Sequence, residues 1–364
     1  MAVKKKVLVV INSSFGLYKF RKEFIEKMVS FCDVFIIANN SSFCKFFTEI
    51  GCKIIKTKIQ HHGMNFFNEF YSLFFYWKSI RDIKPDIVFT YTTKPNIYAS
   101  LACSMLGINY VPTITGLGIA VEYPGIIQKI TLFFYRLALR KAKKIFFQNS
   151  ANKDFMLKRG IIKSDYELVS GSGVNLSFFP LLEYPNNKTV DFCFFGRIMK
   201  EKGIEQYIAA ADYITKKYPN TRFHICGQMT AGYGQRIKHL HESGTVVYHG
   251  ILSDVRPIYQ IDCCTIHPSF YPEGMSNVLL ESSASGRPVI TTDRAGCMEA
   301  CDNGVNGYIV KQNDSKDLIE KIEMFLNLPW DKRREMGLAG RKKVEKEFDR
   351  NIVIEKYIKE IEKV

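Results

Sequence analysis

Apolar residues in this chain come in short unbroken runs separated by stretches with helical spacing, a pattern that predicts a parallel sheet covered by helices on both faces. Val7-Leu8-Val9-Val10-Ile11 is such a run, followed by the small-residue loop Asn12-Ser13-Ser14-Phe15-Gly16 and a helix with Phe20, Phe24 and Met28 inward. Val34-Phe35-Ile36-Ile37-Ala38, Cys52-Lys53-Ile54-Ile55 and Pro85-Asp86-Ile87-Val88-Phe89-Thr90 predict three more strands, with another near Val111. The second half repeats the plan in Asp191-Phe192-Cys193-Phe194-Phe195, Phe223-His224-Ile225-Cys226-Gly227, Val246-Val247-Tyr248-His249-Gly250, Cys264-Thr265-Ile266-His267 and Val289-Ile290-Thr291-Thr292. The fold class is therefore α/β, with two Rossmann-like doubly wound parallel-sheet domains over residues 1–185 and 186–347. They join at the polar Pro185-Asn186-Asn187-Lys188, and residues 348–364 form a charged amphipathic C-terminal helix that crosses back to the N-terminal domain.

Composition adds limits. At 364 residues two cores are expected. The ten cysteines contain no Cys-x-x-Cys pair, and no charged, apolar and small-residue leader pattern opens the chain, so a reduced, cytoplasmic protein is expected. Cys297 and Cys301 are four apart, but no second ligand pair accompanies them and no metal site is expected. The longest uncharged run, Pro95 to Val121, is broken by Gly107, Asn109, Pro112, Gly116 and Gly118, which excludes a single membrane-spanning helix there. His61-His62 reads as a loop feature without function.

Charge is one-sided. Residues 1–185 carry 25 Lys and Arg against 12 Asp and Glu, whereas residues 186–364 carry 26 against 24. The N-terminal half therefore meets something anionic, and nucleic acid, an anionic lipid surface and a phosphorylated substrate are candidates. No aromatic-basic RNA motif or recognition-helix arrangement is present, so nucleic acid is disfavoured. Two segments favour a membrane surface: Phe66 to Trp77 is almost wholly aromatic, and Lys129, Arg136, Arg140, Lys143 and Lys144 share a broad helical face beside Phe133. The competing explanation is that both helices pack on the sheet with solvated lysines.

The chemistry centres on Tyr271 to Glu299. Glu273 lies in a Pro-Glu-Gly turn, and Glu281 lies eight residues on in an apolar, helix-like run. The turn follows a strand and opens a helix, which puts the backbone amides of Ser276, Asn277 and Val278 at a helix N-terminus, a favoured place for phosphate. Arg197 and Lys202 lie in a loop from the same sheet edge, and two cations with a helix N-terminus make a diphosphate clamp. Glu281 is then placed to accept both hydroxyls of a ribose. On spacing alone two solvated carboxylates would serve equally; the surrounding residues decide against that.

Gly196-Arg197 with Lys202-Gly203, Gly250 before a helix, and Glu273-Gly274 with Glu281 resemble the set shared by GT-B retaining glycosyltransferases of family 4. Lys94-Pro95-Asn96-Ile97-Tyr98 and Thr115-Gly116-Leu117-Gly118 resemble a subgroup that adds a hexose or N-acetylhexosamine to undecaprenyl-diphosphate-linked saccharides. The resemblance covers nearly the whole chain and implies two domains facing across a cleft that holds a UDP-sugar. It implies Arg197, Lys202 and Glu273 as catalytic residues, the first two on the diphosphate and Glu273 on the sugar hydroxyls. The donor set is completed by Gly16, the backbone of Gly250 and Ile251 at the uracil, Gly274, Met275, Ser276, Asn277, Val278 and Glu281. On the acceptor side stand Tyr18, Arg21, Lys94, Asn96, Thr115 and Gly116. No cofactor or divalent metal is implied, and the chain has no Asp-x-Asp. Many relatives carry a histidine in the loop that here reads Thr113-Ile114-Thr115-Gly116, so a same-face substitution without a side-chain base is implied. The implied partners are the UDP-sugar, a lipid-linked saccharide acceptor and an anionic membrane surface bound peripherally at the inner face of the cell membrane. A UDP-sugar epimerase on the same fold, a membrane scaffold and a nucleic-acid-binding protein are the alternatives.

Overall fold

The structure, a computed structural model, describes residues 4–57, 66–186 and 188–364, with backbone alone for 66–68. His61, His62 and Asn187 lie outside the described residues. The chain divides into two compact units, Met1–Ser172 with Asn351–Val364, and Gly173–Arg350.

The first unit is built on β1 (Lys5–Val10), β2 (Cys32–Asn39), β3 (Lys53–Thr57), β4 (Ile87–Tyr91), β5 (Asn109–Ile114), β6 (Ile145–Phe147) and β7 (Tyr166–Leu168). All pair in parallel, in the order β3-β2-β1-β4-β5-β6-β7. Val7 to Val10 and Ile87 to Phe89 are wholly buried, as central strands covered on both faces require. The helix Ser14–Val29 follows β1 directly, capped by Ser13, whose hydroxyl accepts from the Gly16 amide at 3.1 Å. Gly16 thus lies in the first helical turn, not in the loop expected of it, because Ser13 starts the helix earlier than the apolar spacing suggests.

The second unit carries β8 (Val190–Phe195), β9 (Thr221–Cys226), β10 (Val247–Tyr248), β11 (Cys264–His267), β12 (Val289–Thr292) and β13 (Gly307–Val310), in the order β10-β9-β8-β11-β12-β13 and again parallel. The expected strand Val246 to Gly250 shortens to the pair Val247–Tyr248, and the following helix opens only at Arg256, so Gly250 lies in a loop rather than at a helix start.

The boundary between the units falls before Gly173, not at Pro185. Residues 173–185 are tied to the second unit: the Val174 amide donates to the Phe348 carbonyl at 2.8 Å, and Tyr184 donates its hydroxyl to the Cys263 carbonyl at 2.8 Å. Gly173 permits the closest approach, since a Cβ there would meet the Arg350 Cα at 2.4 Å. At the other end, Val353, Ile354, Tyr357, Ile358 and Ile361 of the helix Arg350–Glu362 join the first unit's core. The Tyr357 ring lies 4.7 Å from Phe146 and 5.1 Å from Phe24, centroid to centroid.

The two unusual helices of the first unit turn apolar side chains outward. In Phe66–Ile83, Tyr76 and Ile80 are buried while Phe70, Tyr71 and Phe74 are each more than half exposed. In Ile126–Leu139, Thr131, Tyr135, Ala138 and Leu139 face in, and Ile126, Ile127 and Phe133 are more than half exposed, with Ile130 and Leu137 exposed beside them. The expected cationic face is not continuous. The helix stops at Leu139, Lys143 donates to the Lys363 carbonyl at 3.1 Å, and Lys144 lies 3.2–3.4 Å from Asp165, Glu167 and Glu360. Glu360 comes from the returning C-terminal helix, a partner 216 positions away that no local pattern announces. Among the described residues no helix is long and apolar enough to cross a membrane.

Candidate functional site

In the second sheet the strand order reverses between β8 and β11, and ligands of such sheets sit beyond the carboxyl ends at that reversal. The loop after β8 carries Arg197 and the short turn Lys200–Lys202, and then Gly203 at φ +76° opens the helix Ile204–Lys217. A Cβ on Gly203 would stand 2.0 Å from the Pro268 carbonyl oxygen, so glycine is what lets this loop touch the loop after β11. The Phe270 amide donates to the Glu201 carbonyl at 2.9 Å across the same seam.

Lys202 Nζ pairs with Glu273 Oε1, both side chains being about one-seventh exposed. Ser269 Oγ donates to the same carboxylate oxygen at 3.2 Å, and His267 Nε2 stands 3.7 Å from it. The Tyr271 ring centroid lies 5.4 Å from the Arg197 guanidinium and 5.2 Å from Lys202 Nζ, within cation–π reach of both. Burial alone would raise the Glu273 carboxyl; Lys202, with His267 adding to it, overcomes burial and brings it down to about 2. Burial pushes His267 below the ordinary imidazole value, against the pull of Glu273.

The helix Asn277–Ala284 begins at Ser276. The Ser276 amide, expected to face an anion, instead donates to the Gly296 carbonyl at 2.7 Å, because the loop bearing Gly296 folds over the turn. Its hydroxyl is buried with no hydrogen-bond partner among the described residues. Asn277 and Val278 open the helix, Gly274 and Met275 are buried just before it, and Glu281 is buried in its second turn, where its charge reaches Tyr259. Gly250 has φ +73° and accepts from the Gly227 amide at 2.8 Å; Ile251 beside it is strongly exposed.

A polar chain that the sequence did not announce ends beside that glycine. Asp191 and His224 are buried; His224 Nε2 is 2.8 Å from Asp191 Oδ1, and His224 Nδ1 is 2.9 Å from His249 Nε2. With the carboxylate accepting, His224 keeps Nδ1 as an acceptor and His249 donates to it. His249 is held below its ordinary value by burial first and by His224. A lone histidine inside a strand pattern carries no signal that two neighbouring strands supply its partners, so nothing in the sequence marks this chain or His267.

In the first unit, Tyr18 packs against Phe43 and Phe46 with ring centroids 5.1 Å apart in each case. Arg21 and Asn96, expected on the acceptor side, are engaged internally. The Arg21 guanidinium lies 3.8 Å from the Tyr91 ring centroid, and Asn96 bridges Thr90 Oγ1 and the Thr113 carbonyl, each at 2.7 Å. Both are buried, Arg21 by the aromatic rings around it and Asn96 because it ties the turn after β4 to the ends of β4 and β5. Lys94 lies 2.8 Å from Glu69 at the start of the π-turn Pro95–Ala99, and Thr115 and Gly116 follow β5 half-buried.

The profile of the 4-like glycosyl transferases matches residues 6–149, and that of the group 1 glycosyl transferases matches residues 183–343. The chain is 25% identical to the N,N'-diacetylbacillosaminyl-diphospho-undecaprenol alpha-1,3-N-acetylgalactosaminyltransferase of Campylobacter jejuni, covering 96% of each. It is also 25% identical to the capsular polysaccharide biosynthesis glycosyltransferase CapM of Staphylococcus aureus, over 96% of this chain and 94% of that one. Among solved structures, Anabaena HepE in complex with UDP is similar at a TM-score of 0.81, with 15% identity and all of both chains covered, and its complex with UDP and glucose at 0.80, with 14% identity over 99% of this chain and all of that one. Two parallel-sheet units of this architecture, matched by profiles that together span most of the sequence, place the chain in the group 1, 4-like family of GT-B fold glycosyltransferases.

Proposed function

We propose that the second unit binds a UDP-sugar and that the enzyme moves a hexose or N-acetylhexosamine onto a lipid-linked saccharide, with retention at the anomeric carbon and without a metal ion. The observation that carries this reading is the gathering of Arg197, Lys202 and Glu273 around Tyr271 where the strand order reverses. Two cations suit a diphosphate, and the first amides of the helix opened by Asn277 and Val278 add the positive end of its dipole. As the bond from the anomeric carbon to the phosphate oxygen breaks, negative charge grows on UDP; fixed cations stabilise it where other enzymes use Mg²⁺. The incoming hydroxyl attacks from the same face and its proton passes to the departing phosphate, so no side-chain base is required. Glu273, ionised at every physiological pH, accepts hydrogen bonds from sugar hydroxyls, and Glu281 accepts those of the ribose.

The donor class is supported by the UDP and glucose bound in the HepE structures, and the acceptor class by the undecaprenol-diphosphate named in the Campylobacter jejuni relative. Peripheral membrane association is supported by the outward Phe70, Tyr71, Phe74, Ile126, Ile127 and Phe133 on two helices that both pack on the segment from Pro95. Incubation with a panel of UDP-sugars, reading slow hydrolysis and protection against melting, tests the donor: one sugar should stand out, and no response to any UDP compound overturns it. Interconversion of two UDP-sugars without hydrolysis would instead mark an epimerase.

A further inference from the structure

His267 ends β11 with 1% of its surface exposed, and neither ring nitrogen has a hydrogen-bond partner among the described residues. Buried polar atoms without partners are uncommon in folded proteins and call for an explanation. The ring is presented from a fixed strand end, since Thr291 Oγ1 donates to the His267 carbonyl at 2.9 Å. The charged and titratable groups around it are Glu273 from the loop after β11 and Lys202 from the loop after β8. Beyond them stands the Cys297 thiol, pushed up to about 12 by burial and by Glu273. His267 Nε2 stops 3.7 Å from Glu273 Oε1, outside hydrogen-bond reach but well inside the reach of charge.

We propose that His267 is a positioning residue for Glu273, closing onto its carboxylate when Lys202 turns its charge to the diphosphate of the donor. The proposal rests on the reading of Lys202 as a diphosphate ligand. Without donor, the ammonium of Lys202 is directed at Glu273. A bound diphosphate divides that charge between two anions and loosens the hold on Glu273. Ser269 Oγ already donates to the Glu273 carboxylate at 3.2 Å, and His267 adds a buried donor that keeps it aimed at the sugar rather than following Lys202. A shift of about 0.8 Å brings Nε2–H to ordinary hydrogen-bond distance, and the orphaned nitrogen gains its partner.

A second consequence follows by linkage. In the unliganded site burial disfavours imidazolium, and Lys202 opposes it further. Once the diphosphate offsets Lys202 and Glu273 moves within reach, imidazolium is favoured, so donor binding draws a fraction of a proton from solvent and is tighter at lower pH. UDP-glucose is the suitable probe, because its doubly esterified diphosphate keeps its charge between about pH 6 and 8.

Isothermal titration with UDP and with UDP-glucose, in two buffers of different ionisation enthalpy, tests this on the full chain, on His267→Gln and on His267→Leu. The wild-type protein should take up protons with UDP-glucose and bind it about threefold more tightly at pH 6 than at pH 8. His267→Gln, which keeps an N–H donor, should retain affinity near the wild-type value at pH 8 and lose the proton uptake. His267→Leu should weaken UDP-glucose about tenfold, the loss of one hydrogen bond to a charged group, while UDP alone changes less than about twofold. Wild-type binding of UDP-glucose that is independent of pH, with both variants unchanged, overturns the proposal. Failure of the wild-type protein to bind either compound strikes the donor reading instead.

Discussion

Lys202 and Glu273 stand 71 residues apart in the chain and form one ion pair, closed by a backbone bond between their loops and by a glycine that no other residue replaces. The pair joins the loops of β8 and β11, the neighbouring strands at which the sheet order reverses, so the same contact that organises the unliganded loops lies where a ligand is expected.

Arg197→Ala and Lys202→Ala should therefore differ in stability while agreeing in donor affinity. Each removes a charge-assisted contact worth ~1.5–3 kcal/mol to the diphosphate. Arg197 is exposed, and its loss should leave the melting temperature unchanged. Lys202→Ala leaves a largely buried carboxylate without its strongest partner, and should lower the melting temperature near pH 7 while raising the apparent pKa of Glu273 above its value of about 2. Thermal melts beside UDP-glucose titrations distinguish the two. Undiminished donor turnover in either variant at saturation would sink the diphosphate assignment.

How much of this was legible beforehand follows from the kind of signal each part leaves. Val7 to Val10 and Ile87 to Phe89 are central parallel strands buried on both faces, so they read as unbroken apolar runs. β6, β7 and β13 did not stand out, since they are three or four residues long and Tyr166 to Leu168 alternates in exposure beside a lysine-rich segment. That Arg197, Lys202 and Glu273 come together beside a helix start was legible as a joint pattern of two cations, a turn glutamate and a strand-turn-helix unit. The fate of single polar residues was not: Arg21 and Asn96 look available in the sequence and are packed inside. A helix's amphipathicity shows that it has an inner face, not which core receives it, and Lys144 reads as a free cation until Glu360 is seen beside it.

Stability should vary with pH through Asp262. Burial raises this carboxyl to about 7, against the hydrogen bond with Thr265 and the charge of Arg287. A folded-state pKa above the unfolded one means that the folded protein holds the proton more tightly. The contribution is therefore fully present below about pH 4, declines as pH rises towards 7 and is lost above it. Asp262→Asn, which retains an acceptor for the Cys264 amide, should remove that decline. Its melting temperature should gain on the wild type between pH 5 and 8, at about 2–4 °C per kcal/mol for a domain of this size. Parallel melting curves across that range would contradict the assignment.

Chelation is expected to leave turnover intact. If the guanidinium of Arg197, the ammonium of Lys202 and the helix terminus stabilise the departing diphosphate, EDTA should change the rate by less than about twofold, because fixed cations replace the metal ion. Strict dependence on added Mn²⁺ or Mg²⁺ would contradict the mechanism, whatever the identity of the sugar.

Membrane attachment should be governed by apolar contact more than by charge. Lys143 and Lys144 do not extend a basic face, since Lys143 donates to the Lys363 carbonyl and Lys144 pairs with Asp165, Glu167 and Glu360, whereas Phe70, Phe74, Ile126, Ile127 and Phe133 stand outward on their helices. Each large apolar side chain moved from water into the interface is worth on the order of 1.5–3 kcal/mol when fully buried, against about 1 kcal/mol for a cation near an anionic surface. Flotation with anionic liposomes should therefore survive ~0.5 M salt in part, since screening removes only the charge contribution. Replacing Phe70, Phe74, Ile127 and Phe133 by serine should abolish it without lowering the melting temperature, these side chains being exposed. Glutamine at Arg136 and Arg140 should weaken it modestly, and glutamine at Lys144 should destabilise the first unit by removing the cation shared by Asp165, Glu167 and the buried Glu360, which among the described residues keeps only Lys363. If the serine variant floats as the wild type does, the outward apolar faces serve some other contact, and the transferase chemistry of the second unit stands independently of that result.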